Sequence, residues 1–512
     1  MSSSKEWIIY EENKPKVLSD LKDGRMDYLD LSSWDFLDRF FAFLLASRFF
    51  EWCASSYPSP RRKEEVPSWF LLSCAIQMKL HLQRAFHALP GILRSGAILS
   101  RVGFNVGLKE GGFNHKNKKK RETAVHQDTV RKYFKDTEPA RLLNWFNHPV
   151  VGWFRRHRGF EKEGIFLLDL TLIPLPPGSH YEKVAFLPLD EEGNYIDVQK
   201  LSKEERKKVK LRPCYALTSL LHLSLDKDYF FYAGAHLGPG KESGLKEGQK
   251  LVEDFLTHFG KGVIKLLIMD RGFIDGPLIT RLKKRYAIDV LIPLKRNMEA
   301  FVDAWGLCSL PETSWEPYSL KRDEQGKVIL REEVTAFSEI TSWGNCEVPL
   351  YVALMKRTDY VTGEEEIWAL ACTKSFKRPA EAFDLYRLRT QIEERHRQLK
   401  GCWLLGTFNS TTFSLVVTHV VFVLLVYSLL QLYLKRKQLQ HLAHKTIVSL
   451  RQEEALGKNA AIVYSRGYFA VFDLDEYTDI IVNLEEEARK RLSRWIKEFK
   501  RQRKRSPPFS NT

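Results

Sequence analysis

The sequence lacks several features that mark particular classes of protein. Its seven cysteines are scattered, odd in number and contain no CxxC pair, which argues against a zinc site and against a disulfide framework. Met1 is followed by a polar stretch of mixed charge in which no secretory signal is visible. These absences fit a reducing compartment, and we expect a cytoplasmic protein.

Long apolar runs are rare as well, and the one exception needs an explanation. Residues 413–434 form an uncharged segment of 22 residues, long enough to span a bilayer. The segment nevertheless contains four polar residues, Thr418, His419, Ser428 and Gln431. We therefore interpret it as a buried core helix and expect no membrane partner, with a membrane anchor as the alternative.

Basic residues outnumber acidic ones by a wide margin. The 512 residues include 80 lysines and arginines against 64 aspartates and glutamates, a formal charge of +16. Such an excess favours a polyanionic partner, and nucleic acid is the commonest one. The length predicts about two to four domains, because one hydrophobic core rarely organises so long a chain.

The residue pattern divides the chain into five regions. Residues 1–150 have helical periodicity, residues 160–295 alternate strands with helices, and residues 296–372 contain short β-forming runs. Helical patterns return in residues 373–435 and in the basic region 436–512. The sequence thus predicts an α/β core with a β-rich insertion, flanked by helical N-terminal and C-terminal regions.

Two aspartates occupy notable positions in the predicted strands. Asp169 lies inside the apolar run IFLLDLTLIPLP, and Asp270 closes the run LLIMD. A carboxylate in a buried strand is costly unless it has a partner. Because open α/β sheets place their sites at the carboxyl ends of strands, we expect the two aspartates to meet there.

A charged helix is predicted over residues 386–400. At about 100° per residue, one narrow face collects Tyr386, Arg389, Glu393 and Lys400, beside an apolar face that can dock on a core. Ordinary ion pairs on a solvated helix surface are the alternative interpretation. The helix would bring one carboxylate, flanked by two cations and a phenol, to the sheet.

Three carboxylates at one place require cations between them. Oxygen ligands from Asp169, Asp270 and Glu393 suit Mg²⁺, for which Mn²⁺ can substitute. Two such ions, about 3.5–4 Å apart, can support phosphoryl transfer. Arg389 and Lys400 can then hold the flanking phosphates of a nucleic acid.

The spacing Tyr386-x2-Arg389-x3-Glu393-x6-Lys400 resembles the YREK signature of insertion-sequence transposases of the IS4 type. The surrounding residues YRLRTQIE and LKG are similar to that family too. This four-residue pattern is specific because both the residue types and their spacing match.

The two aspartates extend the resemblance. Asp169 in DLT and Asp270 in DRGF resemble the first two acidic residues of the family's DDE triad, and the resemblance covers about residues 160–435. It implies a ribonuclease H-like fold and Mg²⁺-dependent cut-and-paste transposition through a hairpin intermediate. It further implies double-stranded DNA partners (terminal inverted repeats and target DNA), a synaptic homodimer and a place at the bacterial nucleoid.

The resemblance also assigns roles to individual residues. It implies catalysis and metal binding by Asp169, Asp270 and Glu393, and DNA binding by Tyr386, Arg389 and Lys400. Two other functions remain open, namely a catalytically inactive DNA-binding derivative and a ribonuclease H-like nuclease that hydrolyses DNA without joining it.

Several further residues are open to two interpretations. The basic run 116–121 and the basic C-terminal residues 489–505 either bind DNA or are merely solvated. We expect His396 not to be a ligand, because hard cations prefer oxygen. The tryptophans of the insertion are expected to pack in local cores rather than stack on an extruded base; they are Trp305, Trp315 and Trp343.

Overall fold

In this computed structural model, the described residues are 11–34, 36–63, 66–89, 125–178, 180–190, 193–224, 226, 228–452 and 458–505. The basic run predicted at 116–121 lies outside them. The described strands form two sheets, and they are β1 (Glu11–Glu12), β2 (Tyr28–Trp34), β3 (Gly164–Pro174), β4 (Ala185–Pro188), β5 (Leu211–Leu223), β6 (Phe230–Pro239), β7 (Ile264–Met269), β8 (Asp289–Pro293), β9 (Glu316–Arg322), β10 (Val328–Ile340), β11 (Leu350–Asp359), β12 (Glu365–Cys372), β13 (Lys458–Ser465) and β14 (Tyr468–Asp473).

Helices cover the larger sheet and fill the N-terminal region. A π-helical turn, Phe146–Val150, joins the helices Pro139–Trp145 and Val151–Arg156. The described α-helices are α1 (Lys14–Lys22), α2 (Phe36–Ala46), α3 (Phe49–Ser56), α4 (Ser68–Leu80), α5 (Gln127–Lys135), α6 (Pro139–Trp145), α7 (Val151–Arg156), α8 (Lys203–Lys208), α9 (Gly244–Phe259), α10 (Gly276–Tyr286), α11 (Glu299–Leu307), α12 (Pro379–Tyr386), α13 (Arg389–Gly401), α14 (Phe413–Arg436), α15 (Ile447–Gln452), α16 (Leu474–Val482) and α17 (Glu486–Arg505).

The larger sheet is mixed, and its strand order is β4-β5-β3-β7-β8-β12-β11-β10-β9, with β6 also paired to β5. Strands β3, β7 and β8 run parallel, whereas β5 is antiparallel to β3. The apolar runs of these strands are buried on both faces, because helices cover the sheet. The predicted α/β class, with a ribonuclease H-like core, is confirmed.

The β-rich insertion extends the core sheet instead of forming a separate one. Strand β12 pairs antiparallel with β8, and β11, β10 and β9 follow outward. One helix, α11, also lies in the insertion and was not predicted. The insertion therefore continues, beyond β8, the same sheet that carries the predicted acidic residues on and after β3 and β7.

The long apolar helix α14 is long and hydrophobic enough to cross a membrane, but it is buried inside the protein. Two of its polar side chains bond the backbone of β6. The N–H of Phe230 donates to Gln431 Oε1 and that of Tyr232 to Ser428 Oγ, both at 3.2 Å. The prediction of a buried core helix is confirmed, and its polar residues satisfy strand groups that would otherwise be buried without partners.

The prediction that the C-terminal region is mainly helical is incomplete. Strands β13 and β14 form a hairpin there, and β2 and β1 pair with them in a second sheet of order β1-β14-β13-β2. A small separate core lies beneath this sheet, with Val17 and Leu21 packed against Leu484 and Leu492. The N-terminal and C-terminal parts of the described chain are thus packed together.

Candidate active site

The strand register brings the two predicted aspartates side by side. Strands β3 and β7 are parallel neighbours, and Leu168 pairs with Met269. The residues that follow this pair are Asp169 on β3 and Asp270 directly after β7. Asp169 is buried within β3, whereas Asp270 follows the last residue of β7 and is about one-third exposed.

The predicted helix over residues 386–400 is broken in the structure. Helix α12 ends at Tyr386 and α13 begins at Arg389, so the prediction of one continuous helix was wrong. The N–H of Thr390 bonds the carbonyl of Arg387 at 3.0 Å, which is a tight turn three residues long instead of an α-helical step. Arg389, Glu393 and Lys400 remain on one helix.

The guanidinium of Arg389 lies between all three predicted acidic residues. Its Nη2 is 3.3 Å from Asp169 Oδ1 and 3.5 Å from Asp270 Oδ2. Its Nη1 is 2.7 Å from Glu393 Oε1. Burial alone would lower the pKa of Arg389, but Asp169 and Asp270 raise it above its usual value. One fixed cation thus balances a concentration of negative charge.

Two residues that were not assigned to the site from the sequence help to hold Asp169 in place. His396 Nδ1 lies 3.5 Å from Asp169 Oδ2, and its Nε2 lies 2.9 Å from the hydroxyl of Ser219. Burial would raise the pKa of Asp169, but His396 and Arg389 lower it below its usual value. The carboxylate is therefore held ionised in a buried position.

Lys400 and Tyr386 complete the surroundings of the acidic residues. Burial lowers the pKa of Lys400, and the negative charge of Asp169 opposes that effect. Burial also raises the pKa of the Tyr386 hydroxyl, with Arg389 acting in the opposite direction. Within the described residues, the ammonium of Lys400 forms no ion pair, so it can receive an anionic ligand.

The donor set fits a hard divalent cation. Asp169, Asp270 and Glu393 offer carboxylate oxygens only, which are the ligands that Mg²⁺ and Mn²⁺ prefer. The three do not form a group whose ligand atoms all lie within 4.8 Å of one another, and each of them contacts the Arg389 guanidinium. Asp169, Asp270 and Glu393 are the residues that could hold such an ion.

An aromatic cleft of about 340 Å³ adjoins Tyr386. Its wall includes the rings of Tyr318, Trp368 and Phe383, together with Arg357 and Arg387. The tryptophans considered from the sequence lie elsewhere. Trp305 is exposed on α11, Lys356 lies over the ring of Trp315, and Trp343 is partly buried.

Comparison with protein families gives a match to the core of the chain. A family profile described as "Transposase DDE domain" matches residues 161–429, more than half of the chain. The matched span begins just before β3 and ends within α14, so it contains both aspartates and all of α13. No curated protein matches the chain.

Proposed function

The chain belongs to the family of transposases with a DDE domain, and from that premise we propose that it moves an insertion sequence by a cut-and-paste reaction. The proposed chemistry is metal-dependent cleavage of DNA at terminal inverted repeats, followed by joining of the freed ends to target DNA. The spacing of Tyr386, Arg389, Glu393 and Lys400 supports an IS4-type member.

One observation carries this proposal. Asp169, Asp270 and Glu393 come from a strand, a strand end and a helix, yet each lies within 3.5 Å of the same guanidinium. Carboxylates that converge in this way need a cation between them, whether it is a guanidinium or a metal ion. In a DDE transposase, we infer, these are the catalytic residues and the ligands of Mg²⁺, with Mn²⁺ as a substitute.

Bound divalent ions would supply activation of the attacking oxygen and stabilisation of the leaving 3′-oxygen. The chain's own residues do the remaining work. His396 holds Asp169 in one orientation, with Ser219 behind it. Arg389, once displaced from the carboxylates, and Lys400 bind the phosphates beside the cut. Tyr386 lies next to them and contacts the same DNA backbone.

We also propose roles for the larger regions. The N-terminal region recognises the terminal repeats, and two copies of the chain join in a synaptic homodimer. The charge of +16 supports contact with DNA over a wide surface. The proposed regions are a DNA-binding part at 1–150, the two halves of the catalytic core at 160–295 and 373–435, the insertion at 296–372 and a basic C-terminal region at 436–512.

A joining assay separates this function from its two alternatives. The protein is incubated with a labelled duplex that carries the element's own ends and with a target plasmid, in the presence and absence of Mg²⁺. A transposase yields cut ends and end-to-target products only with the metal. Cleavage without joining would indicate a nuclease, and binding without cleavage an inactive derivative, so either result would overturn the proposal.

A further inference from the structure

A second cluster of metal-binding side chains lies away from the acidic residues. His148, Asp254 and His258 each offer one ligand atom, and these atoms all lie within 4.8 Å of one another. Among the described residues, no other three histidine, cysteine or acidic side chains meet that criterion. Two imidazoles and a carboxylate are a different kind of donor set from three carboxylates.

The three residues come from two parts of the fold. Asp254 and His258 are four residues apart on α9, so their side chains share one face of that helix. His148 lies 106 residues before Asp254, on the π-helical turn Phe146–Val150 of the N-terminal region. Turns of this type are rare and often occur at functional sites.

Direct contacts hold the three side chains of the cluster together. His148 Nε2 lies 2.5 Å from Asp254 Oδ2, and His258 Nδ1 lies 3.4 Å from Asp254 Oδ1. The two imidazole rings are stacked, with centroids 3.5 Å apart and an angle of 17° between the planes. The cluster thus brings two imidazole rings and one carboxylate together.

The tautomer of His258 is set by its own helix. Its Nδ1 lies 2.9 Å from the backbone carbonyl of Asp254 and donates a hydrogen bond to it, which leaves Nε2 with a lone pair. The exposed fractions of the Asp254 and His258 side chains, 39% and 41%, leave the cluster open to an ion from solvent.

Neighbouring contacts hold the two parts of the cluster in place. The side-chain amide of Asn147 makes two hydrogen bonds with the backbone of Ala235, of 3.1 and 2.9 Å, which anchor the π-helical turn on β6. Arg155 donates to the carbonyl of Phe259 at 2.9 Å and so ties α7 to the end of α9. The ligand positions are therefore largely organised before any ion binds.

We propose that His148, Asp254 and His258 bind a divalent cation of the Zn²⁺ class, with a fourth position open to water. Imidazole nitrogen together with carboxylate oxygen suits Zn²⁺, whereas Mg²⁺ prefers oxygen alone. The scattered cysteines argued against a zinc site, but this cluster offers imidazole and carboxylate ligands and needs no thiolate. The ion would hold the N-terminal helical region and α9 of the core together. This structural role does not depend on the proposed transposition reaction.

Zinc competition with a chromophoric chelator tests this site. In the presence of the chelator, the wild-type protein is expected to retain one more equivalent of bound Zn²⁺ than any of three variants. These variants are His148→Gln, Asp254→Asn and His258→Gln. The loss of one ligand should weaken that equivalent at least about tenfold. A matched control is His157→Gln, since His157 stacks on Trp153 and bonds its carbonyl outside the cluster.

Two further arms make the result decisive. The Asp169→Asn/Glu393→Gln double variant should keep the zinc equivalent, and a tenfold excess of Mg²⁺ should not displace it. Co²⁺ added to the wild-type protein should give the visible absorption of a four-coordinate ion, which each cluster variant loses. Equal Zn²⁺ binding by the wild type and the three cluster variants, or a zinc equivalent that disappears with the acidic residues of the candidate active site, would overturn the proposal.

Discussion

The Arg389 guanidinium lies among the three carboxylates that we propose as metal ligands. Without a cation there, Asp169 would be a buried charge beside two others, which is costly. The guanidinium balances these charges, and its fork of N–H donors is of the kind that also binds phosphate. We therefore expect Arg389 to change partners when DNA and metal bind.

The salt dependence of DNA binding tests the phosphate contacts. Replacing Arg389 or Lys400 by alanine should weaken binding to an end-containing duplex and reduce the log–log salt slope by about one unit each. Arg397→Ala is the matched control, because Arg397 is exposed on the same helix and paired with Glu394. Unchanged slopes in both variants would mean that neither residue contacts a DNA phosphate.

His396 is predicted to act through Asp169. Replacing His396 by alanine removes the contact that orients the carboxylate, and loss of such support typically costs about ten- to a hundredfold in metal affinity. The Mn²⁺ concentration for half-maximal cleavage should therefore rise by that factor, whereas the exposed His441→Ala should leave it unchanged. A fall in maximal rate with no change in metal dependence would contradict this role.

At the scale of helices and strands, long apolar runs were the most informative part of the sequence. The near-continuous apolar runs that form β3, β7 and β8 are typical of strands covered on both faces. Both aspartates could therefore be placed at the sheet. The break after Tyr386 could not be predicted, because the helical stripe through Leu388 and Ile392 continues across it. His396 and Ser219 were missed because their contact depends on the register of β5 against β3.

The β13–β14 hairpin did leave a signal in the sequence. Its two-residue turn, Arg466-Gly467, has positive φ at both positions, 50° and 83°. Turns of this kind favour glycine and join strands of β-forming residues such as those on either side. The helical periodicity of the surrounding region concealed this signal.

Gln431 is predicted to stabilise the packing of α14 on β6. In Gln431→Leu, the N–H of Phe230 would be buried without an acceptor, which costs about 1–3 kcal/mol in the free energy of unfolding. The same substitution at Gln440, which is exposed, should have little effect. Denaturant unfolding measures both, and equal stability of the two variants would refute the role assigned to Gln431.

Lys79 on α4 is predicted to make stability depend on pH. Its ammonium is buried beside the ring of His419 at 2.7 Å, and burial lowers its pKa to about 7. The unfolded chain keeps this proton up to about pH 10, so the free energy of unfolding should rise between about pH 7 and 10.

A pair of lysine variants isolates this effect. Lys79→Met should raise the free energy of unfolding at pH 7 and flatten its increase toward pH 10, whereas Lys132→Met, at an exposed position on α5, should do neither. Denaturant unfolding at several pH values provides the measurement. A parallel pH dependence in Lys79→Met and the wild type would show that this lysine is not responsible.

For the whole molecule, one sheet links the parts that the proposed reaction needs. The core strands carry the aspartates, the insertion continues the same sheet, and α14 packs against β6 on the other side of the core. The regions at the two ends of the chain share a second sheet, so the basic helix α17 is fixed to the N-terminal part. DNA bound by these terminal regions would therefore have a fixed position relative to the acidic residues of the core.

The most direct test of the central claim compares two adjacent glutamates on α13. Glu393→Gln removes one proposed metal ligand, which contacts Arg389. Glu394→Gln removes an equivalent carboxylate outside the proposed site, where it pairs with Arg397. With an end-containing duplex and Mg²⁺, Glu393→Gln should abolish cleavage, as should Asp169→Asn and Asp270→Asn, while Glu394→Gln should cleave near the wild-type rate. All variants should still fold and bind DNA. Near wild-type cleavage by any one of the three proposed ligand variants would contradict the account.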